Sequence, residues 1–173
     1  MSWTKQSDLQ SGAGAKRHYG RRRPSLSGPL AVPADARRYR PTMPPDEAAC
    51  ATALAQRMLG QAFEQLCVGA ADVQVRFTHS SISLWSVIGA STSHDVLVRP
   101  HGLDGVALLL PLLNEELTAV EVDPSGRLSF TLGGVALSCP SDLDYEAWSY
   151  DGPHGEKVVC MPGGDLAIWD ADR

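Results

Sequence analysis

The sequence predicts an α+β protein built on a mostly antiparallel β-meander sheet, with one or two short helices and a disordered basic arm at its N-terminus. Three observations predict it. From Leu117 to Trp169, short apolar-alternating runs are separated by turn residues at nearly regular intervals, the pattern of a meander. Two stretches, after Pro45 and after Asp104, carry helix start signals. Residues 1–44 are rich in Gly, Ser, Pro and Arg and hold hardly any branched apolar side chains, so they bury too little surface to offset the entropy of ordering.

A chain of 173 residues suits one β-rich domain, residues 45–173, plus that arm, and it can bury a core without metals or disulfides. Its charge divides unevenly. Residues 1–40 hold nine Lys/Arg against two Asp/Glu, net +7, and residues 41–173 hold six against eighteen, net -12. The longest apolar run, Val106 to Leu113, contains Pro111 and falls far short of the roughly 20 residues that cross a bilayer. No apolar stretch follows the basic start, so a cytoplasmic, reducing setting is expected. Cys50, Cys67, Cys139 and Cys160 show no C-x-x-C spacing and are expected as free thiols.

In chain order, Pro44-Pro45, Asp46 and Glu47 open a helix that Ala48 to Leu59 continues with good helix formers, and Gly60 ends it. Leu54, Met58 and Ala51 share a stripe that suits packing on a sheet. Phe63 to Val68 reads either as more helix or as a strand; the preferred reading is a hairpin, turned at Gly69 to Asp72, with Val73, Val75 and Phe77 facing one side. A further strand follows at Ile82 and Leu84. Gly89 to His94 is expected as loop and Asp95 to Arg99 as a short strand. Asp104 is the expected cap of a helix through Leu113, which Pro111 limits. The meander then runs from Leu117, through Ala119 or Val120 and Val122, with turns at Asp123-Pro124-Ser125-Gly126, Gly133-Gly134, Gly152-Pro153-His154-Gly155 and Pro162-Gly163-Gly164.

Few residues assemble into chemistry. His94, His101 and Asp104 match no metal-site spacing. His79 beside Ser80 and Ser81 is not a nucleophile and base, since adjacent strand residues point to opposite faces. Cys139, Cys160 and His154 would need an electropositive pocket to make a thiolate, and this region is acidic. The Pro162 to Asp165 turn leads into a strand, not the helix a phosphate cradle requires. Trp85, Trp148 and Trp169 are expected as sheet-packing aromatics. No cofactor site is expected. Asp142, Asp144 and Glu146, spaced by two, would share one face of a strand beside Tyr145, Trp148 and Tyr150, a composition closer to an interface than to a cleft.

Leu59-Gly60-Gln61, Gln65 to Gly69, Val73 to Phe77, Ile82-Ser83-Leu84, Val120-Glu121-Val122, Gly126-Arg127-Leu128, Tyr145-Glu146-Ala147-Trp148 and Pro162 to Trp169 follow an order that resembles a small β-rich family from high-GC bacteria, chiefly actinobacteria, known only as a domain of unknown function. The likeness spans Leu59 to Trp169. Y-E-A-W and P-G-G-D-L-A-I-W are its most specific parts. It implies a β-rich domain, a strand rather than a helix before Val68, and a chain start near Met58; Met43 is a second candidate start. Small acidic β-rich proteins of this kind are similar in shape and charge to immunity proteins of bacterial toxin systems.

The expected function is a non-enzymatic, cytoplasmic binding protein whose acidic and aromatic sheet face captures a basic protein partner, such as a toxin domain. Asp142, Asp144, Glu146, Tyr145, Trp148 and Tyr150 would form that face. The alternative is a nucleic-acid-associated protein that uses Arg21, Arg22, Arg23, Arg37, Arg38 and Arg40 of the arm to pair with phosphates.

Overall fold

A computed structural model describes residues 45–91 and 95–170. The arm with its six candidate arginines, and His94, lie outside the described residues. Helix α1, Pro45–Ala55, starts on a proline, whose missing N–H costs nothing at a first helical position, and runs into a 3₁₀ turn, Gln56–Met58. Gly60 ends it at φ 79°, a conformation that glycine adopts without strain. Ala48, Ala51, Leu54, Ala55 and Met58 are buried, so the predicted stripe is the packed one. A chain starting at Met58 would lack this layer of the core.

The strands form two antiparallel sheets. The first holds β1 (Phe63–Val68), β2 (Val73–Phe77), β3 (Ser81–Leu84), β9 (Trp148–Asp151), β10 (Lys157–Cys160) and β11 (Leu166–Trp169), in spatial order β1-β2-β3-β9-β10-β11. The second holds β4 (Ile88–Ser91), β5 (Asp95–Val98), β6 (Leu117–Val122), β7 (Leu128–Leu132) and β8 (Val135–Cys139), in order β5-β4-β8-β7-β6. The fold class is therefore as predicted, and the long run after Leu117 proves to be two three-stranded meanders divided between the sheets.

Register explains the core. Leu66, Val75, Ile82, Tyr150, Val158 and Ile168 stand side by side, one from each strand of the first sheet. In the second sheet Leu128, Phe130 and Leu132 of β7 are buried while Ser129 and Thr131 between them are partly open, the period-2 alternation of a half-buried strand. A shift of register between Leu117 and Ala119 marks a bulge in β6, and it lets Leu117 and Val120, three positions apart, both face inward. That bulge is why strict alternation left Ala119 and Val120 undecided.

Two expectations are corrected. Ile88–Ser91 is a strand rather than loop, paired on both sides, with β5 and with β8. Its Gly-Ala-Ser composition has little strand propensity, but a Cβ on Gly89 would stand only 3.0 Å from Ser138 Oγ, so tight pairing with β8 favours a small residue there. Helix α2, Leu103–Leu109, is capped by the backbone at Gly102 rather than by Asp104, and Pro111 turns its end into a 3₁₀ segment, Leu110–Leu112.

Candidate functional site

The segment between β8 and β9 gathers four of the residues singled out in the sequence. Its ends are fixed. Cys139 and Pro140 close β8, and the Ala147 N–H donates to Cys160 O at 3.1 Å while Ala147 O accepts the N–H groups of Trp85 and Ser86 at 2.9 and 3.1 Å. Within it, Asp142 Oδ1 accepts from the backbone N–H of Asp144 (2.9 Å) and of Tyr145 (3.2 Å), an Asx-type turn. Asp142 O accepts from the Gly163 N–H at 2.7 Å, which ties the loop to the β10–β11 turn.

This anchored loop holds its tip outward. Leu143 is 74% exposed and Tyr145 73%, two large side chains two positions apart that are left open to solvent. Asp144 and Glu146 are exposed around them. Behind the tip lies a cleft of about 230 Å³ lined by Ala71, Trp85, Ser86, Asp142, Tyr145 and Glu146.

Four of the six predicted partner-binding residues, Asp142, Asp144, Tyr145 and Glu146, thus come together, on a loop rather than on a strand face. The other two do not join them. Trp148 and Tyr150 are fully buried, because β9 is an interior strand of the first sheet and both side chains belong to the core. Leu143 and Trp85 complete the surface in their place. Leu143 was legible as an apolar residue between two aspartates; Trp85 is brought in by a contact that no local pattern carries.

The buried members have structural partners. The Trp148 indole N–H donates to Gly126 O at 2.9 Å, so the first sheet is pinned to the β6–β7 turn. The Tyr150 hydroxyl donates to Glu156 Oε1 at 3.3 Å. Burial raises the Tyr150 pKa, with Glu156 adding to the effect, so the hydroxyl stays protonated and remains a donor. Glu156 also accepts from the His154 N–H at 2.9 Å and lies 3.5 Å from Arg57, whose guanidinium is 3.9 Å from Asp170. Burial alone would raise the Glu156 pKa; the backbone donors, Tyr150 and Arg57 outweigh it and hold the carboxyl below its usual range.

The remaining candidates separate. Cys139 and Cys160 are buried and unpaired, and Cys160 Sγ contacts Gly126 O at 3.3 Å. Burial pushes the Cys139 thiol up, and burial with the Asp165 and Asp142 carboxylates pushes Cys160 up to about 12, far from a thiolate at neutral pH. His154 lies in the turn before Lys157, at the opposite end of β10 from Cys160. His79 is exposed, and both its backbone N–H and the Ser80 hydroxyl donate to Gln61 Oε1. Among the described residues no three His, Cys, Asp or Glu side chains converge as metal ligands. Trp169 is 53% exposed on β11, at the sheet edge, and is not packed inside as expected. Among the described residues no helix is long and apolar enough to cross a membrane.

The fold and the loop define a β-rich α+β protein that presents an acidic, aromatic tip from a rigid two-sheet frame. The chain belongs to a family of unknown function (DUF6188), whose sequence profile matches residues 72–170. The match begins at the β1–β2 turn, so α1 and β1 precede it. No curated protein and no solved structure matches the chain.

Proposed function

We propose that the protein is a non-enzymatic binding module that captures a basic protein partner on the tip of the 141–146 loop. One observation carries this reading: Leu143 and Tyr145, each about three-quarters exposed, project from a loop hydrogen-bonded at both ends, amid the carboxylates of Asp142, Asp144 and Glu146. A prearranged apolar pair loses little conformational freedom on binding, and surrounding carboxylates attract and orient a basic surface. A toxin whose basic face the module blocks is the partner class that suits this chemistry, as it does the immunity proteins to which the sequence is similar in charge. The cytoplasmic setting and the bacterial origin belong to the same proposal.

The test is an affinity capture from the source cells with the full chain. Asp144→Lys with Glu146→Lys should abolish recovery of a basic partner, and Leu143→Ala with Tyr145→Ala should weaken it at least as much, because the centre of an interface carries most of its energy. Recovery unchanged by both double variants overturns the assignment. Nucleic acid that co-purifies and is released by salt would favour the arm's arginines instead.

A further inference from the structure

A second surface lies apart from the loop tip, between α1 and β11. It is a groove of about 660 Å³. Leu166 and Ile168, both half-buried, Trp169, largely exposed, and Cys50 of α1 give it an apolar part. Asp46 and Glu47, both exposed, stand at the α1 end, and Asp170, in contact with Arg57, stands at the β11 end. β11 is the outermost strand of its sheet. A large aromatic beside carboxylates suits guanidinium groups, which stack on the ring while they pair with the acids.

We propose that this groove is the docking seat of the chain's own basic segment, Arg37, Arg38 and Arg40 around Tyr39. Two facts select this occupant over others. The first is charge: residues 1–40 are net +7 and the remainder is net -12, so the groove attracts the arm, whereas a second copy of the body would bring acid to acid. The second is tethering. Arg40 precedes Asp46 by six positions, and six extended residues reach about 20 Å, so the cluster is covalently held within reach of the groove. Attachment of this kind gives an effective concentration on the order of millimolar. Pro41, Pro44 and Pro45 restrict the connecting chain and lower the entropy lost when it is ordered. A diffusing basic protein must compete with that tethered segment.

Cys50 supplies the test. In the full chain, the rate at which a bulky, neutral polyethylene-glycol maleimide labels Cys50 is measured by peptide mass spectrometry, with half-buried Cys67 on β1 as the internal reference. Reversing Arg37→Glu, Arg38→Glu and Arg40→Glu should raise the Cys50 rate about tenfold, the factor that corresponds to ~1.4 kcal/mol of docking, and leave Cys67 unchanged. High salt should reproduce the rise in the natural chain and do little in the variant. Urea denaturation of the reversed variant should match that of the natural chain, which separates undocking from a folding defect. Adding Asp46→Lys and Glu47→Lys to the reversed arm should restore protection by charge exchange. A Cys50 rate insensitive to both reversal and salt overturns the proposal, and so does protection that grows with protein concentration, which would assign the groove to a second copy.

Discussion

Glu156 shows how much one buried residue decides. Its carboxylate is shielded from water and collects the Tyr150 hydroxyl, the His154 N–H and the Arg57 guanidinium. Gly152 makes room for it, since a Cβ there would overlap the Glu156 carboxyl carbon at 2.3 Å. Because these donors lower its pKa in the folded chain, the unfolded chain holds the proton more tightly, and acid favours unfolding. The stabilisation from Glu156 is therefore present above the ordinary glutamate value of 4.5 and is lost as the pH falls through the lower folded value. Glu156→Gln should cost about 1.5–3 kcal/mol at pH 7, the range for hydrogen bonds to a charged group, and less in acid, where the carboxyl takes up a proton. Urea denaturation of both proteins at pH 7 and in acid checks this; an equal loss at both would mean that the ionised carboxylate is not what matters. Tyr150, its neighbour, was read in the sequence as a surface residue because Asp144, Glu146 and Tyr145 precede it. Hydrophobicity alone cannot place a tyrosine, whose ring suits a core and whose hydroxyl suits water; the buried acceptor at position 156 settles it.

Elements hold each other by contacts that lie far apart in sequence. Strand β6 is the edge of the second sheet, and edge strands carry open backbone groups that invite pairing with other chains. Thr52 of α1 closes part of this edge: its Oγ1 donates to Val122 O at 3.2 Å and accepts from Val122 N–H at 2.9 Å. Thr52→Val keeps the shape and removes both bonds, so it should destabilise by about 1–3 kcal/mol, while Thr52→Ser should recover most of that. Thermal melts of the three proteins decide it. The β6–β7 and β10–β11 turns meet in the same way across the two sheets. A Cβ on Gly126, at φ 76°, would lie 2.4 Å from Gly164 O, and one on Gly164, at φ 100°, would lie 2.6 Å from Ser125 O. Gly126→Ala should therefore cost about 3 kcal/mol or more, from backbone strain and steric overlap together. Both turns were legible as turns from glycine and proline. Their mutual contact was not, nor was strand β4, because pairing between distant segments leaves no periodic trace in a short run of Gly, Ala and Ser. The loop's acids were legible by composition; their spacing by two suggested a strand only because nothing local announced that Asp142 folds back on Asp144 and Tyr145.

At the scale of the molecule, the question is whether two sheets make one cooperative unit. One hydrophobic cluster contains Leu54 and Met58 from α1 and its extension, Val75, Ile82 and Tyr150 from the first sheet, and Leu117, Leu128 and Phe130 from the second. The Trp148 indole and the Gly126–Gly164 contact add polar and steric links between the sheets. Neither sheet can therefore open without uncovering the other's buried face, and residues 45–170 should unfold in a single transition. The tryptophans make the test sharp. Trp148 and Trp169 lie in the first sheet and Trp85 directly follows β3, so among the described residues every tryptophan is carried by that sheet or its edge, although the Trp148 indole also touches the β6–β7 turn. Leu128 lies in the second sheet and is fully buried. Leu128→Ala should cost about 2–5 kcal/mol by leaving a cavity. If the core is shared, this cost lowers the urea midpoint seen by fluorescence as much as the midpoint seen by far-ultraviolet circular dichroism. If the sheets are independent, the fluorescence midpoint stays where it was while the dichroism splits into two steps. Coincident shifts are expected, because the side chain removed from β7 contributes to the same cluster as the strands that carry the tryptophans.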